Sequence, residues 1–336
     1  MDQNKINELD PSSIMKLSTS YWESQTLLTA NRIGLFDILS NKESSSDEIA
    51  EALHIKPRPT LLLLNACVAL GLLEKSNDKY RNSPISQAFL VSGKPSYLGN
   101  AIRYSDDLYQ TWGRLEEVLK QDKPPMPPET YLGSNEQSTR HFVMGMHNRA
   151  LSIGQAMLHL VDLTGKKQML DVGGGPGTYS ALFTQKYPEL YSRVLDLERI
   201  VDIAKDIVKE MGADKVSMLP GDYHEVDFPP GNDVVLISGV FHRENIQDCN
   251  SLIQRAKNSL VADGLLVVSD VFTDAGGTTP TFATLFGVNM MLTAENGCVY
   301  EDTEISQLLA SSGFANVSTK NFPPPLPHKI ITGIKK

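Results

Sequence analysis

A glycine-rich segment at residues 169–180 strongly constrains how this chain can fold. It reads Met-Leu-Asp-Val-Gly-Gly-Gly-Pro-Gly-Thr-Tyr-Ser, so an apolar run that fits a buried strand ends near Asp171 and is followed by four glycines. Glycine lets the backbone turn sharply and approach a ligand, because no Cβ is in the way. A helix is expected to begin near Thr178. A strand, a glycine turn and a helix in this order predict an open α/β sheet with a ligand at the carboxyl end of the strand.

The glycine spacing narrows the choice of ligand. A dinucleotide fingerprint needs Gly-x-Gly-x-x-Gly or Ala, and counting from Gly173 places Thr178 at the third position, which argues against a nicotinamide cofactor. The residues from Asp171 to Gly177 instead read Asp-x-Gly-x-Gly-x-Gly. This pattern resembles motif I of the class I S-adenosylmethionine (SAM) methyltransferases, in which the turn packs against the methionine part of SAM. The alternative is a glycine turn in an α/β protein of another function.

The residues after the glycine segment alternate between strand and helix patterns. Short, mostly apolar segments at 193–195, 216–219, 234–237 and 265–269 read as strands, and helical patterns lie at 200–211, at 246–260 and after Pro280. Repeated βα units predict a Rossmann-like, doubly wound, mostly parallel sheet. Two last strands, at 317–320 and 329–334, are expected to form an antiparallel hairpin at the sheet edge, as in class I methyltransferases.

The first part of the chain predicts a winged helix. Ser45 to Glu48 fit a capping box before a short helix, Pro57 fits the first turn of a second helix that runs to Leu70, and residues 72–81 fit a β-wing. Residues 1–95 hold ten Lys and Arg against eleven Asp and Glu, without a basic stripe on the second helix, so DNA binding is the weaker alternative. The second helix is apolar on more than one face, which predicts burial. We therefore expect a homodimer that forms through this mostly α-helical domain.

A helical connector is expected between the two domains. Residues 95–121 fit one long helix, which a run of prolines at 124–128 stops. The next helix continues to about residue 160, and its Phe142, Met146 and His147 can be ordinary core or a wall of the active site. The predicted domains are 1–95 for dimerisation, 96–160 for the connector that lines the active site, and 161–336 for the SAM-binding sheet.

Composition argues against several functional classes. A length of 336 residues suits two domains, and a net charge of -9 argues against broad binding to nucleic acid or to anionic membranes. Cys67, Cys249 and Cys298 are too scattered for a disulfide framework or a zinc site, so no metal is expected. The polar start shows no secretory signal, and the longest apolar run is too short to span a membrane. We expect a cytoplasmic protein.

Acidic residues follow the next two strands of the predicted sheet. Asp196 closes the second strand, where its carboxylate can accept hydrogen bonds from ribose hydroxyls. Asp222 follows the third strand and suits an adenine amino group, while Tyr223 or Leu197 can stack on the adenine ring. A single Asp at a strand end can equally cap a helix or face solvent. Two of them behind a glycine turn favour a nucleoside site.

His242 is the residue that we expect to act as a base. It stands just past the fourth strand, at the same carboxyl edge of the sheet as the glycine turn. SAM is already an activated methyl donor, so an enzyme mainly aligns the acceptor with the methyl group and, for a hydroxyl acceptor, removes the proton. A neutral histidine suits that task at neutral pH. The alternative is a structural histidine that caps the next helix.

Over nearly the whole chain, these motifs resemble the SAM-dependent O-methyltransferases of the acetylserotonin and caffeate type. The resemblance implies a winged-helix dimerisation domain, a Rossmann-like catalytic domain, and methyl transfer from SAM to a hydroxyl of a small molecule, which leaves S-adenosylhomocysteine (SAH). It implies that His242 is the general base and that Asp270 orients it. Cofactor contacts are implied at Asp171, Gly173, Gly175, Gly177, Asp196, Asp222 and Ser238, and an acceptor pocket at Phe142, Met146, His147 and the helix with Met290.

The sequence departs from the family pattern at places that bear on the acceptor. Arg243 and Glu244 replace the family's Asp-Trp after the histidine. The second supporting acid falls at Val299 or Tyr300, neither of which is acidic, and Glu301 is out of register. A weaker acid network suits a thiol or thioether acceptor, because a thiol ionises readily and a thioether has no proton to lose.

These departures leave alternatives open. In an S-methyltransferase, Arg243 or Arg103 could hold an acceptor carboxylate, although each also fits a surface ion pair. A few proteins of this fold bind SAM and run a hydroxylation or a decarboxylation. A SAM-binding winged-helix regulator needs a basic helix, which this sequence lacks. The acceptor itself stays open, because its pocket draws on separated segments and on the partner subunit in some arrangements.

Overall fold

The chain divides into two units between Asp107 and Leu108. The computed structural model describes residues 10–94, 96–125, 132 and 136–336. Residues 1–9, on which the prediction of no secretory signal depends, and residues 126–128 of the proline run lie outside the described residues. The domain boundaries at 95 and 160 stay predictions.

The N-terminal unit combines helices with a small antiparallel sheet. The sheet has the order β1-β3-β2, and β2 and β3 form the expected wing. The Ser45 hydroxyl accepts from the Glu48 backbone N–H while the Glu48 carboxylate accepts from the Ser45 N–H, so the predicted capping box is confirmed. The elements are α1 Ser12–Thr19, α2 Tyr21–Arg32, α3 Leu35–Ile38, β1 Ser44–Ser45, α4 Ser46–Ala52, α5 Pro57–Ala69, β2 Leu73–Ser76, β3 Lys79–Asn82, α6 Pro84–Phe89 and α7 Gly99–Asp107.

The second helix of the winged-helix pattern, α5, is buried on one side only. Thr60, Leu64 and Cys67 face the core of the unit. Leu61 and Leu62 are exposed, Leu62 at 58 %. Within one copy of the chain, one face of α5 is therefore buried and a second apolar face is exposed. Burial of that second face by a second copy stays a prediction.

The single long helix expected over residues 95–121 is wrong. The segment contains α7 and two further short helices, α8 Tyr109–Trp112 and α9 Leu115–Gln121. Gly113 and Arg114 separate α8 from α9, and the backbone of Arg114 leaves the helical region at φ -102° and ψ 14°. Glycine is about 1 kcal/mol poorer than alanine in a helix interior, so the apolar spacing alone overestimated the helix length.

The C-terminal unit contains the expected doubly wound sheet. Its strand order is β6-β5-β4-β7-β8-β10-β9, with parallel pairs from β6 to β8 and with β10 antiparallel to both β8 and β9. The parallel sheet and the C-terminal hairpin are thus confirmed. The elements are α10 Glu136–Leu160, β4 Gln168–Val172, α11 Thr178–Lys186, β5 Tyr191–Asp196, α12 Glu198–Glu210, β6 Val216–Pro220, β7 Asn232–Ser238, α13 Ile246–Ser259, β8 Leu260–Val271, α14 Thr281–Met291, α15 Asp302–Ser311, β9 Phe314–Asn321 and β10 His328–Lys335.

The strand order reverses beside β4. The chain moves from β4 to β5 and β6 on one side and returns to β7 and β8 on the other. Apolar side chains cover both faces of the sheet, with Leu170 and Val235 in one cluster and Met169 and Leu236 in the other. In open α/β sheets a ligand binds at such a reversal, outside the carboxyl ends of the strands. That edge is where the predicted site residues lie.

Candidate active site

The glycine turn leaves one backbone position open to a ligand. Gly173, Gly175 and Gly177 all have positive φ, at 63°, 54° and 70°, which L side chains rarely adopt. A Cβ at Gly173 would lie 2.7 Å from the Val240 side chain, and one at Gly177 would lie 2.9 Å from Val208. A Cβ at Gly175 would have no atom of the chain within 4 Å. The turn is therefore packed on two sides and accessible at Gly175.

Asp171 lies beneath this turn. Its side chain is fully buried, and one carboxylate oxygen accepts a hydrogen bond of 2.7 Å from the Ser180 hydroxyl. The other oxygen has no partner among the described residues. Burial raises the pKa of Asp171 to about 7, against the opposing effect of the Ser180 hydrogen bond. This position suits support of the turn, and its predicted contact with the cofactor stays a prediction.

Asp196 ends β5 and faces the turn. One of its carboxylate oxygens accepts from the Gly175 N–H at 2.7 Å, and the other accepts from the Leu197 N–H at 2.8 Å. Burial raises the pKa of Asp196 to about 6, although these backbone hydrogen bonds and the nearby charge of Arg243 lower it. The structure thus brings the predicted ribose acid next to the open glycine. Leu197 packs into a cluster that also contains Phe142 from α10.

The loop after β6 carries Asp222 and Tyr223. The Asp222 carboxylate accepts from the His224 N–H at 2.8 Å and is close enough to Asp196 for its charge to raise the pKa of that residue. Tyr223 lies against the turn, because a Cβ at Gly173 would be 3.5 Å from its ring. Asp222 and Tyr223 therefore lie close to Asp196 and the glycine turn, as the prediction of an adenine site requires.

Arg255 fixes the same loop, and the sequence reasoning missed it. Its guanidinium donates to the backbone carbonyls of Tyr223 and Val226 and lies 4.3 Å from the centre of the Phe228 ring. A planar guanidinium can donate in two directions and stack on an aromatic face at the same time. Nothing in the spacing of α13 signals this role, since Arg255 bonds to main-chain groups of a different loop.

His242 and Asp270 form a direct pair. His242 lies in a short 3₁₀ helix, Phe241–Arg243, that follows β7, and Asp270 lies near the end of β8. The His242 Nδ1 atom is 2.7 Å from the Asp270 carboxylate, which also accepts from the Val271 N–H at 2.8 Å. A carboxylate at this distance holds the proton on Nδ1, so Nε2 carries the free lone pair. The His242 side chain stays 14 % exposed, and the Phe286 ring packs against it in a T-shaped arrangement with ring centroids 5.0 Å apart.

The position of the second family acid is not occupied by an acid. The Tyr300 hydroxyl donates to the Glu244 carbonyl at 2.6 Å, and Val299 lies beside Gly287 of α14. Glu301 accepts from the Gly276 N–H. Among the described residues, Asp270 is thus the acid that contacts the His242 ring.

A second histidine, His328, lies near this pair and was not predicted. It begins β10, and the register places it opposite Val271, directly after Asp270. Its Nδ1 is buried without a partner among the described residues, and burial lowers its pKa to about 4, with His242 and Arg149 acting in the same direction. His328 is therefore neutral at physiological pH. The register of the hairpin was the available signal, but it could not be read from the strand pattern alone.

The predicted acceptor residues fall into two groups. His147 contacts the Thr178 hydroxyl at 2.8 Å, and burial lowers its pKa, so α10 places it with Phe142 beside the glycine turn. Met290 lies buried on α14, the helix whose Phe286 contacts His242. Two other predicted acceptor residues lie elsewhere on the site: Met146 is half-buried on α10, and the charge of Arg243 acts on Asp196 and Tyr223. Ser238, a predicted cofactor residue at the end of β7, interacts with the Tyr179 hydroxyl.

Metal-ligand clusters and membrane-spanning helices are both absent from the described residues. No group of three or more His, Cys, Asp or Glu side chains among them is arranged to hold a metal ion. Within the same residues, we find no helix whose length and hydropathy would let it span a bilayer.

Comparison with known proteins identifies the family. Residues 123–315 match the O-methyltransferase domain, and residues 15–92 match the O-methyltransferase dimerisation domain. The chain is 28 % identical to the 3-hydroxy-5-methyl-1-naphthoate 3-O-methyltransferase of Streptomyces sahachiroi, over 97 % of this chain and 95 % of that protein. It is 30 % identical to the N,N-dimethyltransferase OxyT of Streptomyces rimosus, over 80 % of each.

The fold is also shared with a solved structure. The structure of human N-acetylserotonin methyltransferase in complex with SAM superimposes with a TM-score of 0.88, at 22 % identity and over 98 % of this chain and 99 % of that one. The match to the dimerisation domain lies in the N-terminal unit, and the match to the O-methyltransferase domain spans the glycine turn, Asp196, His242 and Asp270. The chain therefore belongs to the O-methyltransferase family, with its dimerisation domain, and is a SAM-dependent methyltransferase that acts on a small molecule.

Proposed function

We propose that this enzyme methylates a hydroxyl group of a small-molecule acceptor, with His242 as the general base. The observation that carries the proposal is the 2.7 Å contact between His242 Nδ1 and Asp270 at the carboxyl edge of the sheet. Asp270 fixes the tautomer, so Nε2 is free to take the proton of a hydroxyl. The same carboxylate stabilises the imidazolium that forms when the proton arrives.

The residues around the glycine turn fit the adenosyl cofactor. Gly175 is open to close backbone approach, and Asp196 and Asp222 offer carboxylate acceptors for hydroxyl and amino groups. When bound, SAM supplies an activated methyl group on a positively charged sulfur. Asp196 then binds the ribose, Tyr223 or Leu197 contacts the adenine, and SAH remains as the product. No metal is needed in this proposal, because the base and the sulfonium supply both parts of the chemistry.

An aromatic acceptor fits the side chains beside the base. The Phe286 ring makes a T-shaped contact with His242, and Phe282 stacks on Phe286 with ring centroids 6.0 Å apart. Flat apolar walls with few polar groups favour flat apolar ligands. A relative at 28 % identity is named for a hydroxynaphthoate, which is an aromatic hydroxyl compound.

We also propose that the enzyme is a homodimer formed through its N-terminal unit. That unit matches the dimerisation domain and exposes large apolar side chains on α1, α2 and α5. Exposed apolar surface of this extent is typical of protein interfaces. Sedimentation should give a dimer for the wild-type chain and a monomer when Trp22 and Leu62 are replaced together by Lys. Binding to nucleic acid or to membranes is not expected, and the cytoplasmic location stays a prediction.

A nitrogen or sulfur acceptor is the second candidate. OxyT, at 30 % identity, is named an N,N-dimethyltransferase. Val299 and Tyr300 stand where the family has a second supporting acid, and neither is acidic. Among the described residues, Asp270 is therefore the acid that contacts His242. An amine or a thioether that already carries a free lone pair needs no base.

Replacement of His242 distinguishes these candidates. For a hydroxyl acceptor, His242→Ala should lower kcat by at least about a hundredfold, the usual contribution of a general base, while the Kd for SAH by calorimetry stays unchanged. The matched control is His159→Ala, on the exposed end of α10. Unchanged turnover of His242→Ala would remove the base from the reaction and favour nitrogen or sulfur.

A further inference from the structure

Glu244 is a buried carboxylate that the proposed chemistry does not use. It is 5 % exposed and lies two residues after His242, where the sequence departs from its family. Its Oε1 atom accepts a hydrogen bond of 2.6 Å from the Tyr223 hydroxyl and lies 3.3 Å from His224 Nε2. A buried carboxylate is costly unless hydrogen bonds satisfy it, so the bond from Tyr223 is a condition of this arrangement.

The backbone around Glu244 is fixed from the opposite side. The Glu244 carbonyl accepts from the Tyr300 hydroxyl at 2.6 Å, and the His242 carbonyl accepts from the Cys298 N–H at 3.0 Å. The 242–244 segment therefore rests on residues 298–300. The Glu244 side chain is its link to the cofactor side of the site.

Tyr223 connects that link to the glycine turn. Its ring lies against Gly173 and belongs to the loop that carries Asp222. Burial raises the pKa of Tyr223 well above its usual value, and the charge of Glu244 acts in the same direction. The hydroxyl therefore stays protonated and remains a hydrogen-bond donor at physiological pH. The contact is charge-assisted and short, which makes it stronger than a neutral hydrogen bond.

We propose that Glu244 is a positioning residue that couples SAM binding at Tyr223 to the alignment of His242. This inference rests on the proposed function, because it assumes that Tyr223 contacts the cofactor and that His242 is the base. A ligand that orders the Tyr223 ring fixes the donor end of the Tyr223–Glu244 hydrogen bond, and the 242–244 segment follows. The replacement of the family's Asp-Trp by Arg243-Glu244 then exchanges one support of the base loop for another.

A double-mutant cycle tests the coupling. Tyr223→Phe and Glu244→Ala should each raise the Kd for SAH by about five- to tenfold and lower kcat. The double variant should lose no more than either single variant, because both remove the same bond. Glu244→Gln keeps an oxygen that can accept from Tyr223 and should recover most of the lost affinity. Tyr187→Phe is the matched control, since the hydrogen bonds of the Tyr187 hydroxyl to the described residues are long, at 3.4 Å, and go to Val161 and Asp162.

A spectroscopic measurement separates positioning from simple stability. Addition of SAH should shift the imidazole NMR signal of His242, which His242→Gln identifies among the seven histidines. The shift should be lost in Glu244→Ala and retained in Tyr187→Phe. Losses that multiply in the double variant, or a Glu244→Ala protein with a lower Tm but wild-type SAH affinity and a wild-type His242 shift, would overturn the proposal. Both readouts need no turnover, so a failure of hydroxyl methylation by the wild-type enzyme would be seen separately.

Discussion

Replacement of Asp270 by Asn removes one charge and one acceptor without changing the size of the side chain. Three N–H groups converge on this carboxylate. Oδ1 accepts from His242 Nδ1 at 2.7 Å and from the Val271 N–H at 2.8 Å, and Oδ2 accepts from the His242 N–H at 3.3 Å. The amide of Asn must place a donor where one of these oxygens now accepts, so no orientation of it satisfies all three.

The geometry gives the size of the effect. An amide NH₂ at the Oδ1 position would face the ring, move the ring proton to Nε2 and remove the base, which contributes about 10²- to 10⁴-fold. An NH₂ at the Oδ2 position would oppose the more distant His242 N–H and keep the tautomer. The carboxylate would still be lost, and two unit charges about 4 Å apart near a protein surface attract by about 4 kcal/mol, or roughly a thousandfold in rate. The first route predicts a fall in kcat of about 10²- to 10⁴-fold, and the second, at about 10³-fold, lies within that range.

The assay compares turnover with cofactor binding. We expect the Asp270→Asn enzyme to lose kcat while its SAH Kd by calorimetry stays within about twofold of wild type, because Asp270 contacts the base loop and not the glycine turn. Asp263→Asn is the matched control: residue 263 is exposed, has φ 58° and lies far along the same strand, and Asn adopts that backbone as readily as Asp. A kcat within about threefold of wild type, with His242→Ala still impaired, would refute the role assigned to Asp270.

Three further outcomes follow from the cofactor side of the site. Because burial raises the pKa of Asp196 to about 6, and a positively charged ligand favours the carboxylate, SAM affinity should strengthen from about pH 5 to about pH 8, with proton release measurable by calorimetry in two buffers. Gly177→Ala, at φ 70° with a side chain 2.9 Å from its new Cβ, should lower the free energy of unfolding in urea by about 1–3 kcal/mol, and by more than Gly212→Ala, where φ is 65° and the space is open. Arg255→Lys cannot donate to both carbonyls of the 221–226 loop in the guanidinium geometry, so its SAH Kd should rise by about fivefold, as measured by calorimetry.

The sequence predicted the parts of the site that follow from topology. Asp196 and His242 end or follow different strands, and in a parallel sheet all such ends lie on one edge. Asp270, 28 residues after His242, joins them for the same reason. These positions needed only the alternation of βα units, which the apolar pattern carries.

The contacts between loops could not be predicted in this way. Glu244 reaches Tyr223 and Arg255 reaches two carbonyls of a distant loop, and neither contact leaves a periodic signal in the sequence. His328 reaches the site through the register of an antiparallel pair, which a shift of one residue would reverse. The helix at 95–121 failed for a local reason, since the backbone leaves the helical region at Arg114, directly after Gly113.

The loss of the second acid changes what the base can do. Among the described residues, Asp270 is the acid in contact with His242, and a base with one carboxylate partner is weaker than one with two. General-base catalysis is most effective when the pKa of the acceptor hydroxyl is not far above the pKa of the base. A phenol, with a pKa of about 10, is within reach of such a base, while an aliphatic hydroxyl is far less acidic. The arrangement of His242, Asp270 and Phe286 therefore favours a hydroxyl on an aromatic ring, and a ring system that offers both kinds of hydroxyl should be methylated on the aromatic one.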